Sequence, residues 1–165
     1  MVRVLVILAL VLSQVIFGCP DRMLPGGAPY AVRALEYSFH HASWWHLAVN
    51  TLSVWTVYRP HRKDNIVHLF VSFVVAFLVY PISLRPCLGF SNILYATIGM
   101  RTPAISSPWW RTTPIIVFLV VTVAMLFFPQ FSGLSHIAAF ACGMLTAAVQ
   151  RFYKKNLKDA DRFIR

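Results

Sequence analysis

The sequence predicts an all-α membrane protein: a bundle of six transmembrane helices in one domain over residues 1–150, followed by a basic cytoplasmic tail at 151–165. Three observations carry this expectation. Of the 165 residues, 58% are hydrophobic and 12% charged, with a mean hydropathy of +0.66. An ordinary soluble domain has roughly 45–50% apolar and about 25% charged residues, so the apolar surplus has no water-facing side to occupy. The apolar residues fall into six runs with short connections, and the basic residues sit at the ends of those runs. A net charge of +10 would otherwise suggest nucleic acid, but no polar domain carries it, so the lipid bilayer is the expected partner and nucleic acid is not. Cys19, Cys87 and Cys142 have no paired spacing, which excludes a disulfide scaffold and a CxxC metal clip.

The spans are expected near 4–17, 44–58, 66–82, 86–100, 115–128 and 134–149. Each is shorter than the roughly 20 residues that cross a bilayer comfortably alone, yet a bundle can cover short ends and half-polar segments. Breakers mark the connections: Cys19-Pro20, Pro25-Gly26-Gly27, Arg59-Pro60, Arg85-Pro86, Thr102-Pro103 and Pro129. The first run also resembles a secretory or lipoprotein signal ending at Cys19, but Phe17 and Pro20 sit poorly around such a cut, so it is read as a retained helix. Cleavage would leave the orientation of the later spans unchanged.

With both termini on one side, Arg3, Arg59, Arg62, Lys63, Arg101, Arg111, Arg151, Lys154, Lys155, Lys158, Arg162 and Arg165 fall on that side. Only Arg22, Arg33 and Arg85 remain opposite. The positive-inside rule then makes both termini cytoplasmic in a multi-pass protein, expected in the plasma membrane, with the tail lying on anionic lipid. Trp44, Trp45, Trp109 and Trp110 read as belt residues at the two faces.

Polar groups in hydrocarbon must find partners inside the protein, and several at one depth are a functional hypothesis. His46 and Asn50 lie four apart on one face of the second span. Ser91 lies near the start of the fourth span and His136 near the start of the sixth. These three spans run in the same direction, so their starts share one layer just below the outer surface. A serine hydroxyl needs a base to become a nucleophile, and imidazole suits that role near neutral pH. The acidic residues, Asp21, Glu36, Asp64, Asp159 and Asp161, all lie in connections or the tail. The site is therefore a Ser/His dyad without an orienting carboxylate. The same absence excludes a two-aspartate protease. There is no HExxH, and His41 and His46 are five apart, so no metal or other cofactor is expected. Asn50, His46 and the Ser91 backbone N–H at a helix start are the candidate oxyanion donors. Small residues recur every four positions in Ala139, Gly143 and Ala147, opposite Ser91, Tyr95 and Gly99, which lets spans four and six approach closely. Tyr95 is placed to stack on His136.

Together these residues resemble the rhomboid intramembrane serine proteases. His41, His46 and Asn50 look like the family's HxxxxHxxxN pattern, Gly89 to Asn92 is similar to its GxSG segment, and the helix from Ser135 to Gly143 is similar to its AHxxGxxxG pattern. The resemblance covers roughly residues 35–150 and implies a rhomboid-like bundle. It implies that Ser91 attacks a peptide carbonyl with His136 as base and later acid. His46, Asn50 and the Ser91 backbone would stabilise the oxyanion, with Tyr95, His41 and Gly89 in support. Substrates would be transmembrane segments of other proteins, locally unwound near the outer face and entering past the fifth span. Two residues depart from the pattern: Asn92 stands for a Gly, and Ala139 for the first Gly of the sixth-helix motif, which would widen that crossing. The connection 18–38 lacks the Trp-Arg pair common in the family's first loop.

Blander readings remain for several residues. Alone, Ser91 would read as packing and His136 as a satisfied core histidine. His40 and His41 are expected at the interface, His61 and His68 in solvent or at the interface, and Cys142 in packing. Phe118, Phe127 and Phe128 read as lipid-facing or as bulk for a lateral gate, and Cys19 and Cys87 as free thiols or an outer disulfide. The alternative function is a catalytically inactive relative that binds transmembrane clients, for which Asn92 and Ala139 speak. A small transporter would want an ionisable residue or a broken helix near midplane, and none occurs.

Overall fold

The structure, a computed structural model, describes residues 1–18, 30–58, 63–82, 89–105, 109, 112, 115, 116, 120, 123 and 133–164. Among the described residues there are six α-helices and no strand. Helix α1 spans Val2–Phe17, α2 Tyr30–Phe39, α3 Trp44–Val57, α4 Asn65–Val79, α5 Ser91–Arg101 and α6 Gly133–Ile164.

Local chemistry sets these boundaries. At the end of α1, Gly18 turns to a φ of 69° and its N–H donates to the Gln14 carbonyl. Ser43 caps α3, its hydroxyl accepting from the His46 amide at 3.1 Å. Helix α4 tightens into a 3₁₀ turn over Tyr80–Ile82, where Pro81 has no amide to continue the α ladder. Helix α5 ends the same way in Thr102–Ala104 around Pro103.

Helix α5 is the centre of the packing and is buried on nearly every face, including Asn92, Ile93, Leu94, Ala96, Thr97, Gly99 and Met100. It lies against α6, α4 and α3, while α1 packs on α3. One apolar cluster joins Val6 and Leu10 of α1, Leu47 and Val54 of α3, Ala76 of α4, and Phe90, Ile93 and Leu94. A second joins Val75 and Val79 to Ala96 and Ala139. Where α5 crosses α6 the backbones touch. A β-carbon added at Gly143 would lie 3.0 Å from the Ala96 carbonyl carbon, and one at Gly99 would lie 3.1 Å from the Met144 amide. The fully buried Ala139 sits inside that close crossing.

One end of the bundle is tied by polar side chains. Arg101 donates to the Val57 carbonyl, to Asn65 Oδ1 at 2.5 Å and to His68 Nδ1 at 3.2 Å, and lies 3.9 Å from Asp64. Arg3 sits 3.6 Å over the Trp55 ring. The start of α1, the end of α3, the start of α4 and the end of α5 therefore meet at this end. A layer further in, the Thr97 hydroxyl donates to the Ile93 carbonyl and accepts from Tyr58 and Ser72, both at 2.7 Å. At the other end Phe17 meets His40 edge-on at 5.1 Å.

The exterior inverts the soluble pattern. Leu5, Leu8, Leu12, Phe70, Leu78, Leu145 and Val149 are exposed, while Gln14, Asn50, Ser72, Thr97 and Ser135 are buried. Among the described residues one helix, over Gly133–Leu157, is long and apolar enough by itself to cross a bilayer; α1 and α4 are shorter apolar helices.

Several boundaries differ from the sequence expectation. The connection read at 18–38 contains α2, which packs on α1, α4 and α5. The fourth span begins its helix at Ser91, because Gly89 just before it has a φ of 109°, outside any right-handed helix. Helix α6 runs on to Ile164, through the residues read as a tail, because nothing between Val149 and Ile164 is a Gly or Pro. Of the fifth span, residues 115, 116, 120 and 123 are helical. The remainder of that span, with Phe118, Phe127 and Phe128, lies outside the described residues, as do Cys19, Cys87, Arg22, Arg59, His61, Arg62, Arg85, Trp110 and Arg111. Cys142, expected to pack, is exposed.

Candidate active site

The starts of α5 and α6 lie side by side, and their first turns bring Ser91 and His136 together. Ser91 Oγ and His136 Nε2 are 2.8 Å apart, a normal hydrogen bond between residues that are 9% and 4% exposed. For Nε2 to accept the hydroxyl proton, the neutral ring must carry its own proton on Nδ1. His136 Nδ1 is buried and has no hydrogen-bond partner, so no carboxylate orients the ring. Tyr95, one turn along α5 from Ser91, supplies a face instead, its centroid 4.6 Å from that of His136 at an angle of 43°.

Helix α3 contributes the second half of the site. Asn50 is buried with its amide Nδ2 unpartnered. Leaving such a donor unsatisfied costs about 1–3 kcal/mol, so a buried, idle N–H points to a partner that arrives later. Gly89 ties this half to Ser91, two residues along the chain. A β-carbon at Gly89 would stand 2.8 Å from His46 Cε1, 3.0 Å from His46 Nε2 and 3.0 Å from Asn50 Nδ2. Only a residue without a side chain leaves the tips of His46 and Asn50 uncovered beside the serine. The Gly89 amide donates to the Tyr37 carbonyl at 2.7 Å, so α2 holds the segment that leads into the nucleophile.

His41 stands behind His46. Its ring meets that of His46 edge-on at 5.2 Å, and Nδ1 lies 3.0 Å from the Phe39 carbonyl, which can only accept; Nδ1 therefore carries the proton. Burial first, then the neighbouring His46, lowers the His41 pKa to about 4, against a partial rise from the Phe39 carbonyl. His40 is also buried, 3.7 Å from Glu36. Both histidines, expected at the interface, are buried.

All seven residues singled out in the sequence thus fall in one region. Ser91, His136 and Tyr95 form one contact group, while His46, Asn50, Gly89 and His41 form the adjoining one. Two features escaped sequence reasoning. One is the role of α2 and its Tyr37 carbonyl. The other is a hydrogen bond from the Ser135 hydroxyl to Asn92 Oδ1, at 3.2 Å, between the residues next to the dyad. Among the described residues no cluster of His, Cys, Asp or Glu could hold a metal ion.

Among the described residues the fold is helical, and a buried serine–imidazole pair near an unpartnered amide is an arrangement of the kind serine hydrolases use. The particular family follows from comparison with known families: a Rhomboid domain matches residues 29–151. That covers more than half of the chain, and the protein belongs to the rhomboid family. Comparison with curated proteins gives no match. The family comprises integral membrane proteins, generally serine proteases acting on transmembrane substrates, and includes inactive members.

Proposed function

We propose that this protein is an intramembrane serine endopeptidase that cleaves transmembrane segments near the outer face of the membrane. Ser91 Oγ attacks the peptide carbonyl and its proton passes to His136 Nε2. The oxyanion so formed takes N–H bonds from Asn50, His46 and the Ser91 backbone. His136 then gives the proton to the leaving amine as the C–N bond breaks, leaving an ester on Ser91. Water loses a proton to His136 and attacks the ester. Collapse releases the acid, and the proton returns to Ser91. No cofactor enters this cycle.

The observation that carries this reading is the 2.8 Å contact between Ser91 Oγ and His136 Nε2, buried beside an unpartnered Asn50 amide. A client-binding relative has no need of that pair. In the proposed topology the molecule is multi-pass in the plasma membrane with six spans and both termini cytoplasmic. Arg3, Lys63, Arg101 and the basic residues late in α6 then share the cytoplasmic end, opposite the dyad. The exposed Leu and Phe side chains would meet lipid, and nucleic acid has no place in the reading.

The test is incubation of the purified full chain in detergent with a fluorophosphonate probe and a model transmembrane substrate, beside Ser91→Ala and His136→Ala. Labelling and cleavage by the wild type, lost in both variants, are expected. An unreactive wild type that still captures the substrate would overturn the proposal in favour of client binding.

A further inference from the structure

The Asn92–Ser135 hydrogen bond does work that the dyad cannot do for itself. One hydrogen bond between two helices fixes a distance but leaves rotation about it free. Ser91 to His136 is one such bond, and Asn92 to Ser135 is a second at the same level, displaced by one residue on each helix. Neighbouring side chains on a helix point about 100° apart, so the two bonds are not collinear and together fix rotation as well as distance. Both partners are enclosed, Asn92 at 7% exposure and Ser135 at 0%, where water does not compete for the bond.

The start of α5 needs such a restraint. Its cap residue, Phe90, makes no side-chain capping bond. The glycine crossing of α5 and α6 lies about two turns further along, at Gly99 and Gly143, so the helix starts could splay about it. Asn92 and Ser135 stand where the GxSG and AHxxGxxxG patterns have Gly and Ala, neither of which has a side-chain polar atom. Ser135 is thus a further departure beside Asn92 and Ala139, and it is the one that pairs with Asn92.

We propose that Asn92 and Ser135 are positioning residues, a cross-helix clamp that holds Ser91 and His136 at reacting distance. Its catalytic consequence rests on the protease reading above, whereas its structural consequence does not. The experiment therefore has two readouts on the full chain in detergent. Nitrogen-15 histidine NMR, with the His136 signals assigned from His136→Ala, reports the ring tautomer and the hydrogen bond at Nε2. Cleavage of the model transmembrane substrate reports kcat and KM. Wild type and Ser135→Thr, which keeps the hydroxyl, are expected to give one Nδ1–H tautomer with a hydrogen-bonded Nε2. Ser135→Ala, Asn92→Ala and the double variant are expected to lose that signature. They should lower kcat tenfold or more with KM within about twofold, the double losing no more than either single.

Unchanged His136 signals in both single variants would overturn the clamp. So would a double variant whose kcat loss is the product of the single losses. A wild type that cleaves nothing, while Ser135→Ala still shifts the His136 signals, would leave the clamp standing and remove the protease reading.

Discussion

Replacing Gly89 by Ala tests the proposed oxyanion pocket with the smallest possible intrusion. The added methyl carbon would stand 2.8 Å from His46 Cε1 and 3.0 Å from both His46 Nε2 and Asn50 Nδ2, where 3.4 Å or more is ordinary contact. His46 must retreat by about 0.6 Å and Asn50 by about 0.4 Å, or the loop carrying Ser91 must move. The methyl also occupies the space in front of both donors. Loss of one oxyanion donor typically costs about 10²–10³ in kcat, so a loss of at least about 10² is expected, equivalent to roughly 2.7 kcal/mol of barrier. Independently, an alanine held at a φ of 109° costs on the order of 1–3 kcal/mol of stability. Gly18 separates the two effects: its φ is 69°, with nothing within 4 Å of an added β-carbon. Gly18→Ala should lose stability alone; Gly89→Ala should lose stability and rate. The assays are thermal unfolding in detergent and initial cleavage rates of a transmembrane substrate, with fluorophosphonate labelling as a second measure. Wild-type turnover by Gly89→Ala would refute the assignment of His46 and Asn50 as donors.

Asn50→Ala should lower kcat by about 10²–10³ with little change in KM and no loss of thermal stability, since Nδ2 is already unpartnered; a marked fall in melting temperature would count against an idle donor. Thr97→Val strands the Tyr58 and Ser72 hydroxyls and should cost about 2–4 kcal/mol, read by denaturation, while residual folded protein keeps its labelling rate. Gly143→Ala forces apart the α5–α6 crossing and should depress both stability and labelling, and wild-type behaviour in both would contradict the close backbone contact. His41 is held neutral when folded, with its pKa at about 4 against 6.5 unfolded, so the unfolded chain binds the extra proton in between. Stability should therefore fall as pH drops from about 6.5 to about 4, by at most about 3 kcal/mol from this residue, and His41→Gln should show a shallower fall across the same window.

What the sequence made legible follows from chemistry that is local or rare. The runs at 4–17, 44–58 and 66–82 correspond to α1, α3 and α4 because each is an unbroken apolar stretch between breakers. Ser91, His136 and Asn50 stood out because polar groups inside such runs are few and need partners. Helix α2 was illegible: Tyr30–Phe39 mixes Arg33 and Glu36 with apolar residues, and the Pro and Gly before it read as loop. Its signal was the helical spacing of Ala34 and Tyr37, the residues it buries. The Asn92–Ser135 bond had no signal in spacing or periodicity; its trace is that each residue puts a polar side chain where the GxSG and AHxxGxxxG patterns have none. Ala139 was expected to widen its crossing, but Gly99 and Gly143 set the approach there and a methyl fits beside them.

The distribution of satisfied and unsatisfied polar groups explains why the site can exist on such short helices. In the layer around Thr97 every hydroxyl is engaged, with three hydrogen bonds converging on one oxygen, and Arg101 ties the ends of three helices just beyond. In the layer at the other end of α5, Asn50 Nδ2, His41 Nε2 and His136 Nδ1 are buried without partners. Each such atom costs about 1–3 kcal/mol, a burden that a bundle held by apolar contact alone would relieve by shifting until the groups were paired. Shifting is opposed here, because α5 is anchored at one end by the satisfied layer, while at the other the preceding Gly89 is tied to Tyr37 and Asn92 to Ser135. The Asn50 amide thereby stays unpartnered near Ser91, where an incoming carbonyl could use it. A shift that let Asn50 find an internal partner would relieve its unmet donor and weaken the proposed oxyanion pocket together.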